Sequence, residues 1–370
     1  MSGFVAALAG FDKMTVGRLR MLLDHLEPEV AYATAAGQRT ADGPLADLLG
    51  RNADLAAAWR ASAARRDPQR CAAECRQLGI VVVTSLDDAY PAALRADPWR
   101  PAALFVRGDL AGLQRRRVAI VGTRNASQRG REHAARFATE LTGEGVTIVS
   151  GLAKGIDAAA HRGALTVAGA QPVAIVGNGL DRPYPRSNGT LWAEVAERGA
   201  VVSEWPPGTP PDAFRFPLRN RIIAALAEAL IVVESRDRGG SLITAHEAAK
   251  RDVAVFAVPG GLDHPASVGT NALLRDGAAP ATESLDILIA LGLDGRRAAN
   301  RRYDPRAQPR GRDQQVVDRC AEGPCTLEML AGQFDRSLGE MALVVARLER
   351  DGWLRETAGW FETLLGWDPT

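Results

Sequence analysis

Residues 115–130 read RRRVAIVGTRNASQRG, an apolar run that stops at a glycine and gives way to a helical pattern. Four consecutive apolar residues, Val118 to Val121, leave no wetted face and so predict a strand buried on both sides, as in a parallel sheet. Gly122 then permits a tight turn and a close approach of a ligand to the backbone. A helix beginning near Ser127 or Gln128 aims its free N–H groups and the positive end of its dipole back at that turn, which makes an anion site. Arg124 at its mouth carries a permanent charge that can hold two phosphate oxygens at once. The competing structural reading is a plain strand-to-helix turn whose arginine faces water.

Working outward, the same alternation repeats. Apolar strand candidates fall at Val118–Val121, Val146–Val149, Val173–Val176, Ala200–Val202, Leu230–Val233 and Val253–Val258, with a helical stretch between each pair. Strands joined by helical crossovers specify a doubly wound, mostly parallel α/β sheet. Upstream, Ile80 to Thr84 is a β-branched run, and a proline-marked connection from Tyr90-Pro91 through Pro98 and Pro101 leads into Leu104 to Arg107. No G-x-G-x-x-G follows the first strand, which weighs against a dinucleotide site.

Ligands of such sheets bind at the carboxyl ends of the strands. There the sequence places Gly122-Thr123-Arg124, Gly151 through Lys154-Gly155, Gly177-Asn178-Gly179, Gly239-Gly240-Ser241 before a helix containing Thr244, and Pro259-Gly260-Gly261 with Gly269-Thr270-Asn271 downstream. Doubly wound folds need glycine at many of these turns for structure alone. Several phosphate-competent turns along one edge nevertheless suggest an extended polyanion. Between the fourth and fifth of these strands lies FRFPLRNRII, residues 214–223, in which Pro217 presets a helix start. Arg219 and Arg221, two apart on that helix, point to different sides. One is expected to face ligand, the other to tie the loop to a carboxylate such as Glu204 or Glu234.

Composition sets outer limits. A chain of 370 residues suggests two or three domains. Hydrophobic residues at 46% and charged ones at 24% are ordinary for a soluble globular protein. Formal net charge is +1, so no global field drives the chain onto nucleic acid or membrane, and any such binding uses local patches. Only Lys13, Lys154 and Lys250 are lysines among 45 basic residues, a bias that points to a GC-rich genome rather than to phosphate clamps. Cys71, Cys75, Cys320 and Cys325 are spaced too widely for the usual zinc pairs and are too few for a secreted scaffold. The start, MSGFVAALAGFDKM, lacks a basic leader and a clear cleavage site, and no apolar run approaches a membrane span. A cytoplasmic location without membrane contact is the expectation.

Seven stretches then occur in a fixed order: VGTRNAS, SGLAKGIDAAAH, YPRSN, SEWPPGTPP, FPLRNRIIAAL, GGSLITAHEAAKRDVAVFAVPG and SVGTNALLRDGA. Together they closely resemble the DprA/Smf family of bacterial DNA-processing proteins, and YPAALRADPWRPAALFVRGDL extends the resemblance, so that it covers roughly residues 86–290. The resemblance implies a multidomain α/β protein with an extended Rossmann-like doubly wound core. It implies a sequence-independent single-stranded DNA-binding protein that protects incoming DNA, forms a homodimer through the core and loads the RecA recombinase in natural transformation. No catalysis and no cofactor are implied. Carried residue by residue, the family's phosphate pocket falls on Gly122, Thr123 and Arg124, threonine replacing the usual serine. Arg186 stands where the family usually has lysine. Asn188, Arg219, Asn220, Arg221, Gly240, Ser241 and Thr244 match further groove positions. Aromatic residues are only 5% of the chain, so phosphate contacts should outweigh base stacking.

The flanks complete the expected layout. Residues 1–80 carry helical periodicity, with Leu19, Leu22, Leu23 and Leu26 on one face and Leu45, Leu48, Leu49 in a second cluster. The family counterpart is a sterile-alpha-motif-like domain, but Gly10-Phe11-Asp12-Lys13 lacks the full glycine nest that holds DNA phosphate. Arg60, Arg65, Arg66, Arg70 and Arg76 read as the solvated face of one long helix over 56–79. The core spans 81–294. Residues 295–312, with seven arginines against one aspartate, form an expected linker. Residues 313–370 give three helical patterns and a β-wing, a winged helix whose recognition helix begins Ser337-Leu338-Gly339-Glu340. An acid there discourages phosphate contact and favours a protein-contact or regulatory role.

Two other functional classes compete. A phosphoribohydrolase-like nucleotide enzyme would use Pro259-Gly260-Gly261 with Gly269-Thr270, although Leu262 to Val268 interrupt that loop, and would need Asp157 or Glu234 as acid-base group. The histidines offer nothing better, because His161 and His246 lie in apolar helices where packing is the simpler role. A duplex-specific transcription regulator is disfavoured by the acid at the recognition helix.

Overall fold

The computed structural model describes residues 2–293, 309 and 311–364, and the chain divides into two compact units, Met1–Asp294 and Gly295–Thr370. In the first unit nine strands form one sheet: β1 (Val81–Thr84), β2 (Ala103–Gly108), β3 (Arg117–Val121), β4 (Thr147–Ser150), β5 (Val173–Val176), β6 (Ala200–Ser203), β7 (Ala229–Val232), β8 (Ala254–Ala257) and β9 (Ala279–Pro280). Their spatial order is β1-β2-β6-β5-β4-β3-β7-β8-β9. From β6 to β9 every pairing is parallel, and β2 and β1 extend the β6 side antiparallel. All six expected strands are therefore present, and the β-branched run at Ile80 becomes the antiparallel extension of a Rossmann-like core.

The order reverses between β3 and β7, since β4 to β6 lie on one side of that pair and β8 and β9 on the other. The reversal leaves a crevice at the carboxyl ends of β3 and β7, where doubly wound sheets hold ligands. Burial on both faces explains the unbroken apolar strands: Val118, Ala119, Ile120, Leu230 and Ile231 are all fully enclosed. On one face Ile222, Ile223 and Leu226 of the Arg215–Leu226 helix pack with Ala245 and Ala248 of the Gly240–Ala249 helix. The other face is covered by Phe137 and Leu141 of the Gln128–Gly143 helix with Ile287 and Leu288.

Residues 2–77 form six helices, and their core, including Val5, Leu8, Leu22 and Trp59, is continuous with Phe105, Trp192 and Val195 of the sheet layer. Arg100 donates to Asp24 at 2.9 Å and Arg20 donates to the Pro98 carbonyl, which lashes this helical region to the core. The single helix expected over 56–79 is in fact two, Ala53–Arg65 and Pro68–Gln77. Asp67 caps the second by accepting from the Arg70 N–H at 2.8 Å, and Pro68 occupies its first turn, where proline fits and a continuing helix does not.

The second unit contains helices Arg312–Glu322, Leu327–Gln333 and Leu338–Arg350 with a three-stranded antiparallel sheet of β10 (Cys325–Thr326), β11 (Leu354–Thr357) and β12 (Trp360–Thr363), a winged helix. The arginine-rich linker lies, over 295–308 and 310, outside the described residues. Among the described residues no helix is long and apolar enough to cross a membrane.

Candidate nucleic-acid interface

The turn after β3 is bound up internally. The Gly122 N–H reaches the Asp157 carboxyl, the Thr123 N–H donates to the Glu234 carbonyl at 2.8 Å, and the Asn125 N–H donates to Thr123 Oγ1 at 3.3 Å. A Cβ on Gly122 would lie 2.5 Å from Ile156 Cγ1, so glycine is required here by packing rather than by a ligand's approach. The helix does begin at Gln128 with Ser127 as its cap. Its positive end, however, is already occupied: Glu234 accepts from the Ser127 N–H at 2.9 Å and from the Ser127 hydroxyl. The expected anion site at this helix is corrected accordingly, because the protein's own carboxylate neutralises it.

Free positive charge lies one step further out. Arg124 is exposed, and its guanidinium sits 4.7 Å from the centre of the Phe216 ring. Phe216 is stacked with Tyr184, centroids 5.7 Å apart and planes inclined by 27°. These three border a cleft of about 540 Å3 that reaches from Gly122 and Thr123 to the start of the Gly240–Ala249 helix. That helix has no side-chain cap, and Gly240 and Ser241 of its first turn, one of the Gly-rich turns singled out in the sequence, line the cleft. A smaller recess of about 280 Å3, lined by Gly151, Lys154, Gly177 and Asn178, shares Arg124, Tyr184, Phe216 and Arg219 with the main cleft. Arg236 and Arg238 stand on the opposite lip. Among the described residues no carboxylate lies within 4.0 Å of Arg124, Lys154, Arg186 or Arg236, and Arg238 has only Asp237 at 4.0 Å.

Other expected groove residues do structural work. Asn188 is buried and donates to the carbonyls of Leu152 at 2.9 Å and Ala153 at 3.3 Å, so it shapes the recess from behind rather than lining it. Asn220 is buried and donates to the Gly240 carbonyl at 3.1 Å. Arg221 lies outside the cleft altogether: it forms a buried bidentate pair with Glu204, one of the two carboxylates named for it. Thr244 and Ser241 are buried in the cleft wall, the Ser241 hydroxyl donating to Ser235 Oγ at 2.9 Å. Arg186 is exposed on the short turn after Pro185 and lines neither cavity.

Arg219 is the strongest departure. It is 4% exposed and donates to the Gly151 carbonyl at 2.8 Å, to the Ile175 carbonyl, and through Nε to Asn220 Oδ1 at 3.2 Å. A Cβ on Gly151 would meet Arg219 Nη1 at 2.4 Å and Asp157 Oδ2 at 2.6 Å, so both buried side chains crowd against Gly151 under the cleft floor. Burial pushes Asp157 up and pushes Arg219 down to about 10; in each case the partner's opposite charge pulls the other way without winning.

The sheet and both cavities fall within residues 81–292, the region matched by the family model of DNA recombination-mediator protein A. The chain belongs to the DprA/Smf family. Within the family it is 37% identical to Protein Smf of Escherichia coli K12 over 281 residues, which span 74% of this chain and 75% of the relative. It is 42% identical to DNA processing protein DprA of Streptococcus pneumoniae over 203 residues, 55% of this chain and 71% of that one. The solved structure of the pneumococcal DprA superposes with a TM-score of 0.64 at 32% identity, covering 78% of this chain and 98% of its own. DNA processing protein A of Helicobacter pylori, for which a single-stranded DNA binding mode is described, gives 0.53 at 30% identity over 59% and 98%.

Sequence reasoning over this DprA/Smf core missed Tyr184, Phe216, Arg236 and Arg238. The signals were present: Tyr184 opens YPRSN, Phe216 sits inside FRFPLRN, and both arginines directly precede GGSLIT. A scarcity of aromatic residues over the whole chain says nothing about where the few are placed.

Proposed function

We propose that this chain binds single-stranded DNA without sequence preference along the carboxyl edge of its sheet, protects it and hands it to a RecA recombinase. The carrying observation is the ring of cations without carboxylate partners, Arg124, Lys154 and Arg236, around the stacked Tyr184 and Phe216 at the point of strand-order reversal. Backbone-tracking charge beside an aromatic platform is what sequence-tolerant single-strand binding requires, because every base has a π-face and every nucleotide a phosphate. The Helicobacter relative, with its single-stranded DNA binding mode, supports the same reading. A homodimer through the core, the transfer to RecA and a cytoplasmic site of action rest on the family resemblance.

The role is non-catalytic in this reading. Each of the two candidate acid-base carboxylates of a nucleotide enzyme is engaged, Glu234 by Ser127 and Asp157 by backbone N–H groups. The Pro259-Gly260-Gly261 turn is held by Asn271, which donates to the Gly260 carbonyl at 3.0 Å and accepts from its N–H at 3.2 Å.

Fluorescence anisotropy with a labelled oligothymidine and a duplex of equal length tests the reading. The single strand is expected to bind more tightly. Tyr184→Ala should weaken that binding by about five- to a hundredfold, the worth of one stacked base, while leaving the salt slope unchanged. Equal affinity for duplex, together with an inert Tyr184→Ala, would contradict it.

A further inference from the structure

The loop that follows β4, residues 151–155, carries Lys154, and its backbone takes an unusual path. Leu152 is fully buried yet adopts a left-handed conformation, with φ at 53°. In an L-residue that conformation crowds Cβ against the following carbonyl, and it persists only where the surroundings hold it. Contacts at the turn and at both ends of the loop do so. Asn188 donates to the Leu152 carbonyl at 2.9 Å and to the Ala153 carbonyl at 3.3 Å. Upstream, the Gly151 carbonyl accepts from Arg219 at 2.8 Å. Downstream, the Ile156 N–H donates to the Thr123 carbonyl at 3.3 Å, and Gly155 lies so close to that oxygen that a Cβ on it would collide with it.

Asn188 reaches this loop from a separate segment. It closes the short turn Arg186–Asn188 that follows Tyr184 and Pro185, and its own N–H donates to the Pro185 carbonyl at 2.9 Å. One buried side chain thus joins the segment bearing Tyr184 to the loop bearing Lys154, and both of those residues line the recess of about 280 Å3. Lys154 is exposed on a flexible stem, so its place beside the rings is set by the backbone beneath it.

We infer that Asn188 is a positioning residue for the nucleic-acid site, a role that rests on the single-strand reading proposed above. By clamping the left-handed turn at Leu152 it holds Lys154 beside Tyr184 and Phe216, where the ammonium meets the phosphate of a nucleotide lying against those rings. Released from the clamp, Leu152 returns to an ordinary negative φ, and the swing redirects the chain that leads to Lys154.

Lysine acetylation of the full chain tests this assignment. Lys13, Lys154 and Lys250 are the only lysines, so mass spectrometry reads each one separately. Rates are measured with and without saturating oligothymidine in the parent, in Asn188→Ala and in the milder Asn188→Ser, whose hydroxyl keeps one donor. In the parent, DNA is expected to slow acetylation of Lys154 by about tenfold, because phosphate covers the amine and holds its proton, and to leave Lys13 unchanged. In Asn188→Ala that protection should fall below about twofold although anisotropy shows the oligonucleotide still bound, and Asn188→Ser should lie between. Lys250, tied to Glu247 at 2.9 Å, reports on the fold through its rate without DNA. A residue that only supported the fold would raise the Lys250 rate and leave the protection of Lys154 intact in the folded molecules. Protection equal to the parent's in the variants, or no protection in a parent that binds DNA, would overturn the positioning role while single-strand binding stands. Failure of the parent to bind oligothymidine would overturn the single-strand reading, and the positioning role with it.

Discussion

Replacing Arg219 by methionine is expected to lower the unfolding free energy by several kcal/mol, about 1 to 3 kcal/mol for each buried acceptor left without its donor. The guanidinium is enclosed beneath the cleft, and its removal leaves the Gly151 and Ile175 carbonyls without their donor and Asp157 without its nearest opposing charge. Orphaned buried acceptors pay their desolvation in full. Adding Asp157→Asn to Arg219→Met should recover part of the loss, because no ion then remains buried alone. Urea unfolding of both variants measures this. A groove residue touching only DNA phosphate would behave in the opposite way, weakening oligonucleotide binding with the urea midpoint unmoved, and that outcome would refute the structural role assigned to Arg219.

The second large effect is on the pH dependence of stability. His161 is fully buried, and burial, with the Arg219 charge adding to it, pushes the imidazole down to about 3 against the weaker upward pull of the Ser150 backbone. In the unfolded chain the same group titrates near its ordinary value of about 6.5. Between those two values the unfolded state binds the extra proton, so stability falls as the pH drops from about 6.5 towards 3. A shift of that size corresponds to roughly 4 to 5 kcal/mol over the full window. Asp157 works with the opposite sign: its folded value is raised, so its contribution is present at low pH and is lost as the pH rises through the folded value. The His161→Leu variant, which keeps Asp157, should therefore show a flatter loss of stability between pH 6.5 and 4 than the parent. Parallel profiles for parent and variant would show that the imidazole is protonated or solvated in the folded chain.

Much of this architecture was legible in the sequence because the signals were local. Runs of apolar residues separated by helical stretches placed the six parallel strands of the core, and the spacing of Arg219 and Arg221 separated their directions. Arg221 does reach Glu204, as one of the two was expected to. What could not be read was decided by partners far away in the chain. Glu234 lies 107 positions from the Ser127 it caps, so nothing around Ser127 reveals that the helix end is filled. Asn188 and Arg219 carry the residue types of a phosphate site, yet they are enclosed because their nearest acceptors are backbone carbonyls at the ends of β4 and β5.

Site and fold are connected at the reversal of strand order. Parallel strands end there with N–H groups, glycines and helix starts on one edge, and the chain adds cations where acids would otherwise balance them. Arg124 illustrates this arrangement: its guanidinium lies over the Phe216 ring at the mouth of the cleft.

The central claim, that a polyanion is held at this edge by unpaired cations, is tested most directly by titrating labelled oligothymidine into wild-type protein and the Arg124→Ala, Arg236→Ala double variant across a salt series. The account predicts salt-sensitive binding by the wild type, and in the variant a weaker affinity with a salt slope shallower by about 1.4 units, as two lost phosphate contacts require. Binding by the variant with unchanged affinity and slope would contradict it and move the nucleic-acid surface elsewhere on the molecule.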